Sequence, residues 1–82
     1  MKLPRNIGGD ELAGLLKKYD YRVTRQEGSH IRLTSNLKGF EHHITIPKHK
    51  PLKVGTLNSI LNDVANYLYI DKQIVIVELF KK

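Results

Sequence analysis

The chain contains no cysteine. That excludes disulfides and thiolate chemistry, and it suits a cytoplasmic protein. Long apolar runs are also absent. No stretch approaches the roughly 20 residues needed to span a bilayer, so no membrane association is expected. The opening Met1-Lys2-Leu3-Pro4-Arg5 lacks the apolar run of a signal peptide. There are no internal repeats, low-complexity tracts or inter-domain linkers. Acidic residues are scarce, 8 against 14 basic ones, which leaves a formal net charge of +6. Such an excess favours a polyanionic partner, either nucleic acid or an acidic protein, without choosing between them. With 82 residues there is room for one domain and one core.

What is present falls into alternating and helical patterns. After a short lead-in, Gly8-Gly9-Asp10-Glu11 opens a helix, its two carboxylates matching the positive end of the helix dipole. Leu12, Leu15, Leu16 and Tyr19 follow at the spacing of one apolar face, with Lys17 and Lys18 in the last turn. Asp20 breaks the pattern. Tyr21 and Val23 then alternate with Arg22 and Thr24, and after Glu27-Gly28-Ser29, Ile31 and Leu33 alternate with His30, Arg32 and Thr34. A polar loop, Ser35 to Gly39, leads to a third strand in which Ile44 and Ile46 stand opposite His43 and Thr45, and Pro47 ends it. The reading is a three-stranded meander. One face carries Tyr21, Val23, Ile31, Leu33, Ile44 and Ile46. The other carries Arg22, Thr24, His30, Arg32, Thr34, His43 and Thr45. Helices must cover the apolar face only.

A basic connector, Lys48-His49-Lys50-Pro51-Leu52-Lys53, precedes a second helix capped at Gly55 or Thr56. Leu57, Ile60, Leu61, Val64, Ala65 and Leu68 form its core stripe. The tail is ambiguous. Ile74-Val75-Ile76-Val77 has strand-like β-branching, whereas Asp71 as a cap with Ile74, Val77 and Leu79 suits a short helix. A helix is favoured, because a fourth strand would need an edge to join.

Gly28-Ser29-His30 places an imidazole at the first residue of the second strand, with Arg25 and Arg32 on either side. His30 reads either as a polar residue that settles a hairpin turn or as a general acid or base. Cleavage of RNA needs a proton taken from a 2′-hydroxyl and one given to the leaving 5′-oxygen, and the two arginines could neutralise the charge of the transition state. Adjacent His42 and His43 point to opposite faces of their strand. His43 shares a face with His30 and is either a second proton-transfer group or simply exposed. The four histidines fit no standard zinc spacing. Lys48, Lys50 and Lys53 precede a helix N-terminus and read either as an anion site or as a solvated connector. Aromatic residues are sparse on the polar face, which argues against sequence-specific stacking of single-stranded bases.

Several segments together resemble the HicA toxin family, also described as YcfA-like proteins. They are Glu11-Leu12 with Leu15-Leu16-Lys17-Lys18, Arg25-Gln26-Glu27-Gly28-Ser29-His30, Ile44-Thr45-Ile46-Pro47 with His49, and Leu52-Lys53-Val54-Gly55-Thr56-Leu57 with Ile60-Leu61. The match runs from about Gly8 to Val64. It implies an α+β fold of double-stranded-RNA-binding-like α-β-β-β-α order, with a three-stranded antiparallel sheet and its helices on one face. It also implies an mRNA interferase, that is, a metal-independent endoribonuclease, with the histidine of the Gly-Ser-His motif, here His30, as catalytic residue. A cognate HicB-like antitoxin would neutralise it, and no cofactor is implied. Two positions depart from the family pattern. Asp20 stands where glycine often precedes the aromatic that opens the first strand, and Leu33 stands where an aromatic often follows the histidine. Both read as turn or packing positions. The tail from Tyr69 to Lys82 exceeds the family's minimal core.

The resulting expectation is a single domain over residues 1–82, with a core of about 8–68 and a C-terminal extension of 69–82. His30 would transfer protons. Arg25, Arg32, Lys48, Lys50 and Lys53 would position the backbone of an mRNA, and Ser29 would hold the hairpin or contact a phosphate. The alternative is a non-catalytic RNA-binding module on the same fold. A third reading is a protein-interaction domain whose basic face meets an acidic partner.

Overall fold

The computed structural model describes residues 3–81. Met1, Lys2 and Lys82 lie outside the described residues, and with them the outer ends of the expected lead-in and extension. Helix α1 spans Gly9–Leu15 and runs directly into a single 3₁₀ turn, Leu16–Tyr19. Strands β1 (Arg22–Glu27), β2 (His30–Ser35) and β3 (His42–Pro47) follow, then helices α2 (Val54–Leu68) and α3 (Lys72–Phe80). The sheet is an antiparallel meander in the order β1-β2-β3.

Each helix boundary has a local cause. At the start of α1 the Glu11 carboxylate accepts the Gly8 N–H at 3.0 Å, satisfying a donor that the helix itself cannot. The 3₁₀ turn stops at Asp20, which takes a left-handed conformation with φ 66°. Aspartate is among the few residues besides glycine that tolerate this, and the turn lets Tyr21 drop into the core. The N-cap of α2 is Lys53, two residues before Gly55 and three before Thr56, and no side chain caps it. The reason is extended backbone at Lys53, φ −65° and ψ 142°, after which helical geometry begins at once.

The tail forms a helix. Asp71 Oδ1 accepts the Gln73 N–H at 2.7 Å, and Val75, Ile76 and Leu79 are buried. Strand propensity in the β-branched run yields to this packing against α2. Lys18 Nζ also donates to the Glu78 carbonyl at 2.9 Å, and the Tyr19 hydroxyl donates to the Glu78 carboxylate, so α3 is tied back to the 3₁₀ turn.

The core joins Leu12 and Leu16, the sheet residues Tyr21, Ile31, Leu33, Ile44 and Ile46, the α2 stripe and the α3 residues. Fully burying each such aliphatic side chain contributes about 1.5–3 kcal/mol. Val23 departs from the expected apolar face: it is 52 % exposed. Both α1 and α2 lie over β3, so the outer strand β1 projects beyond their cover. Thr34 departs the other way. It was expected on the solvent face, yet it is buried, because Thr24 and His43 both hydrogen-bond its hydroxyl at 2.8 Å.

Candidate active site

The polar face of the sheet is assembled by an irregularity in β1. Arg22 pairs with Thr34 and Val23 with Leu33, but the next pair is Arg25 with Arg32. Thr24 is the extra residue of a β-bulge. Strict alternation from Val23 would turn Arg25 toward the helices and Gln26 toward solvent. The bulge reverses both. Arg25 and Glu27 join the face of His30 and Arg32, while Gln26 takes the side of Tyr21 and Ile31.

The hairpin between β1 and β2 is one residue shorter than the Glu27-Gly28-Ser29 turn the sequence suggests, because Glu27 still pairs as the last residue of β1. Glu27 and His30 are cross-strand partners, and only Gly28 and Ser29 lie between them. Gly28 has φ +54°, a conformation suited to the first central position of a tight hairpin turn and strained for a residue with a Cβ. Ser29 is exposed, and its carbonyl accepts the Lys48 N–H at 2.6 Å, which ties the turn to the start of the basic connector.

Arg25, Glu27, His30, Arg32 and Thr45 line one small open pocket of about 160 Å³. Arg25 forks onto Glu27, with Nε 3.2 Å from Oε1 and Nη2 3.3 Å from Oε2. The pair is exposed, with side-chain exposures of 60 % and 70 %, so its net contribution to stability is small. The pocket thus joins three of the expected site residues, Arg25, His30 and Arg32, and adds two that sequence reasoning missed. Glu27 was legible in principle: a residue immediately before a two-residue turn must face the residue immediately after it. Thr45 enters because it pairs with Arg32 across the β2–β3 ladder.

The remaining cations are arranged along the connector. Lys48 adjoins the turn through its backbone bond to Ser29. The Gly9 N–H binds the His49 carbonyl at 3.0 Å, and the Leu52 N–H binds the Ile7 carbonyl at 2.8 Å, which holds the connector against the start of α1. Lys50 is engaged with Glu11 at 3.5 Å, and Lys53 caps α2. None of the three lines the His30 pocket.

His42 and His43 are both committed elsewhere. His43 Nδ1 meets Thr34 Oγ at 2.8 Å, and its Nε2 lies 3.5 Å from Glu41. It pairs with Thr34, four residues along β2 from His30, or about 13 Å at strand spacing. His42 faces the core side, stacked on Tyr67 with ring centroids 4.7 Å apart, and its Nδ1 lies 2.7 Å from the Tyr21 hydroxyl. Among the described residues, no group of three or more His, Cys, Asp or Glu side chains stands close enough to hold a metal ion. No helix of the described residues is long and apolar enough to cross a membrane. A larger groove of about 710 Å³ runs beside α3, lined by Lys18, Gln73, Ile74, Val77, Glu78 and Lys81, and it contains no histidine.

The pocket brings together an imidazole, two arginines and access from solvent, the kinds of group that can take part in proton transfer and charge stabilisation at a phosphate ester. The family model described as "HicA toxin of bacterial toxin-antitoxin" matches residues 9–65. The matched span runs from the first residue of α1 into α2 and includes the whole sheet and the His30 pocket, while α3 lies beyond it. Comparisons with curated proteins and with solved structures gave no match.

Proposed function

The chain belongs to the HicA toxin family of bacterial toxin–antitoxin systems, and from that premise we propose that it is a metal-independent endoribonuclease that cleaves mRNA in the cytoplasm. A HicB-like antitoxin neutralises it. The observation that carries the nuclease reading is the placement of His30 in one pocket with Arg25 and Arg32.

His30 transfers a proton at the scissile phosphate. Its imidazole is exposed and hence open to a substrate. Arg25 and Arg32 are cross-strand partners and line the same pocket as His30. There they neutralise the charge that builds on the phosphate oxygens as a fifth bond to phosphorus forms. Ser29, beside the pocket on the turn, contacts the backbone of the RNA, and Lys48, Lys50 and Lys53 continue the cationic track away from it. These contacts position the strand without reading its bases, so affinity is strongly salt-dependent and sequence preference modest.

His30→Ala tests the reading. Its side chain is exposed, so the substitution leaves the core intact. Expression of the wild-type chain arrests growth and purified protein cleaves transcripts, whereas the folded variant does neither. Cleavage that survives in the folded variant would rule out a His30 nuclease. Binding of RNA by the wild type without any cleavage would instead favour the non-catalytic module.

A further inference from the structure

We propose that Glu27 is the general base of the cleavage and His30 the general acid, so that the pocket works as a carboxylate–imidazole pair. The proposal rests on the endoribonuclease reading and names the second proton-transfer group that this chemistry needs.

Geometry supplies the first reason. Transfer within RNA has an attacking 2′-oxygen and a leaving 5′-oxygen on opposite sides of one phosphorus. The base and the acid must therefore flank a single phosphate. Glu27 and His30 are direct cross-strand partners on the same face, and residues so placed have Cβ atoms about 4.5–5.5 Å apart. Both line the same pocket. The short turn fixes this pairing, and the bulge at Thr24 fixes which face Glu27 takes.

The second reason is chemical. Around the pocket, β1 contributes Arg25 and Glu27, β2 contributes His30 and Arg32, and β3 contributes only the uncharged Thr45. Lys48 adjoins the turn from the connector. Arginine does not release its proton and Thr45 is not an acid or base, so Glu27 and His30 are the two lining groups whose side chains can take or give a proton. His43 is about four residues of strand away and bonded to Thr34, and His42 lies on the opposite face of the sheet. Arg25 holds the Glu27 carboxylate by both oxygens, which fixes its orientation and leaves each oxygen a further lone pair for a proton.

The step balances without any added reagent. Ionised Glu27 takes the proton of the 2′-hydroxyl as the 2′-oxygen bonds to phosphorus. The bond from phosphorus to the 5′-oxygen breaks, and protonated His30 gives its proton to that oxygen. The products are a 2′,3′-cyclic phosphate and a 5′-hydroxyl end. Glu27 is left protonated and His30 neutral, and exchange with solvent restores both. Nothing is oxidised or reduced.

Single-turnover cleavage of an oligoribonucleotide by the full chain across pH tests the pair. The wild type should give a bell-shaped profile, with the acidic limb from the base and the alkaline limb from the acid. Glu27→Gln preserves size and removes the base. It should lower the rate by roughly 100- to 10,000-fold, leave KM unchanged or lower, and erase the acidic limb. Glu27→Asp should restore that limb with part of the rate. An oligonucleotide with a 2′-deoxy sugar at the scissile position should stay intact and yield no cyclic phosphate. A Glu27→Gln variant within about threefold of wild type that keeps its acidic limb overturns the base assignment. So does a variant whose defect is confined to KM, since that marks a role in holding Arg25 alone. The underlying reading fails separately, if wild-type protein does not cleave or if folded His30→Ala still does.

Discussion

Arg25 and Arg32 are direct cross-strand partners, two like charges brought face to face by the bulge at Thr24. Like charges so placed oppose folding. Arg25 is partly offset by its fork to Glu27, whereas Arg32 forms no ion pair among the described residues. Under the proposed RNA-cleaving function, a bound phosphate would relieve this repulsion. Arg32→Gln should therefore raise stability by about 0.2–1 kcal/mol in urea denaturation. It should also weaken RNA binding, and reduce the slope of log affinity against log salt by about 0.7 for a single-stranded target. A variant that loses stability and keeps the slope would refute this trade.

The loop between β2 and β3 hangs on one phenol. The Tyr67 hydroxyl donates to the Phe40 carbonyl at 2.7 Å and accepts the Lys38 N–H at 3.0 Å, and the Phe40 ring meets its ring edge-on at 5.1 Å. Tyr67→Phe keeps the ring and leaves those backbone groups without their partner. It should cost about 1–3 kcal/mol in thermal or chemical unfolding. Amide exchange at Lys38 should accelerate, while RNA cleavage at a temperature where the variant is folded should be unchanged.

Alkaline pH should unfold the protein from within. Burial holds the Tyr19 phenol well above its ordinary range, reinforced by its hydrogen bond to Glu78 and by that carboxylate's charge. Burial does the same for Tyr21, with Tyr67 and Asp63 adding to it. Both folded values exceed the unfolded value of about 10, so the unfolded chain gives up these protons first. The associated stability is intact below about pH 10 and declines above it. Denaturation midpoints measured from pH 8 to 11.5 should show this fall, and Tyr19→Phe should flatten it. Phenolate absorbance from these two residues should appear only with unfolding.

Two glycines of α1 should respond oppositely to the same change. A Cβ on Gly9 would come within 2.1 Å of the Pro47 carbonyl oxygen, where α1 meets the end of β3. Backbone must move to admit it, so Gly9→Ala should destabilise by about 1–3 kcal/mol. A Cβ on Gly14 meets nothing within 4 Å, and the residue is helical, so Gly14→Ala should stabilise by about 0.5–1 kcal/mol. Thermal unfolding of the two variants beside wild type measures both.

Elements with a strong single period were legible. The stripe from Leu57 to Leu68 is buried as its spacing requires, and the alternations from Ile31 to Leu33 and from Ile44 to Ile46 put those residues in the core. The two departures from the family pattern also fall where they were read: Asp20 occupies a left-handed turn and Leu33 is fully buried. What was illegible depended on neighbours far away in sequence. Val23 has the right parity for the core and still faces water, because helix cover is a property of packing. Arg25 has the wrong parity for the polar face by simple alternation and reaches it through a bulge that no residue of Arg22-Val23-Thr24-Arg25 announces.

The sequence by itself determined the order of elements, the place of the hairpin and the position of His30 on the second strand's first residue. These follow from short-range rules: turn chemistry at Gly28, alternation within a strand, and apolar spacing within a helix. Only the tertiary structure decided which side chains share the space around that histidine. Register and bulging are set by the pairing of one strand with another and by the core beneath them. They bring Arg25, Glu27, Arg32 and Thr45 to His30 and send His43 to the far end of the same face.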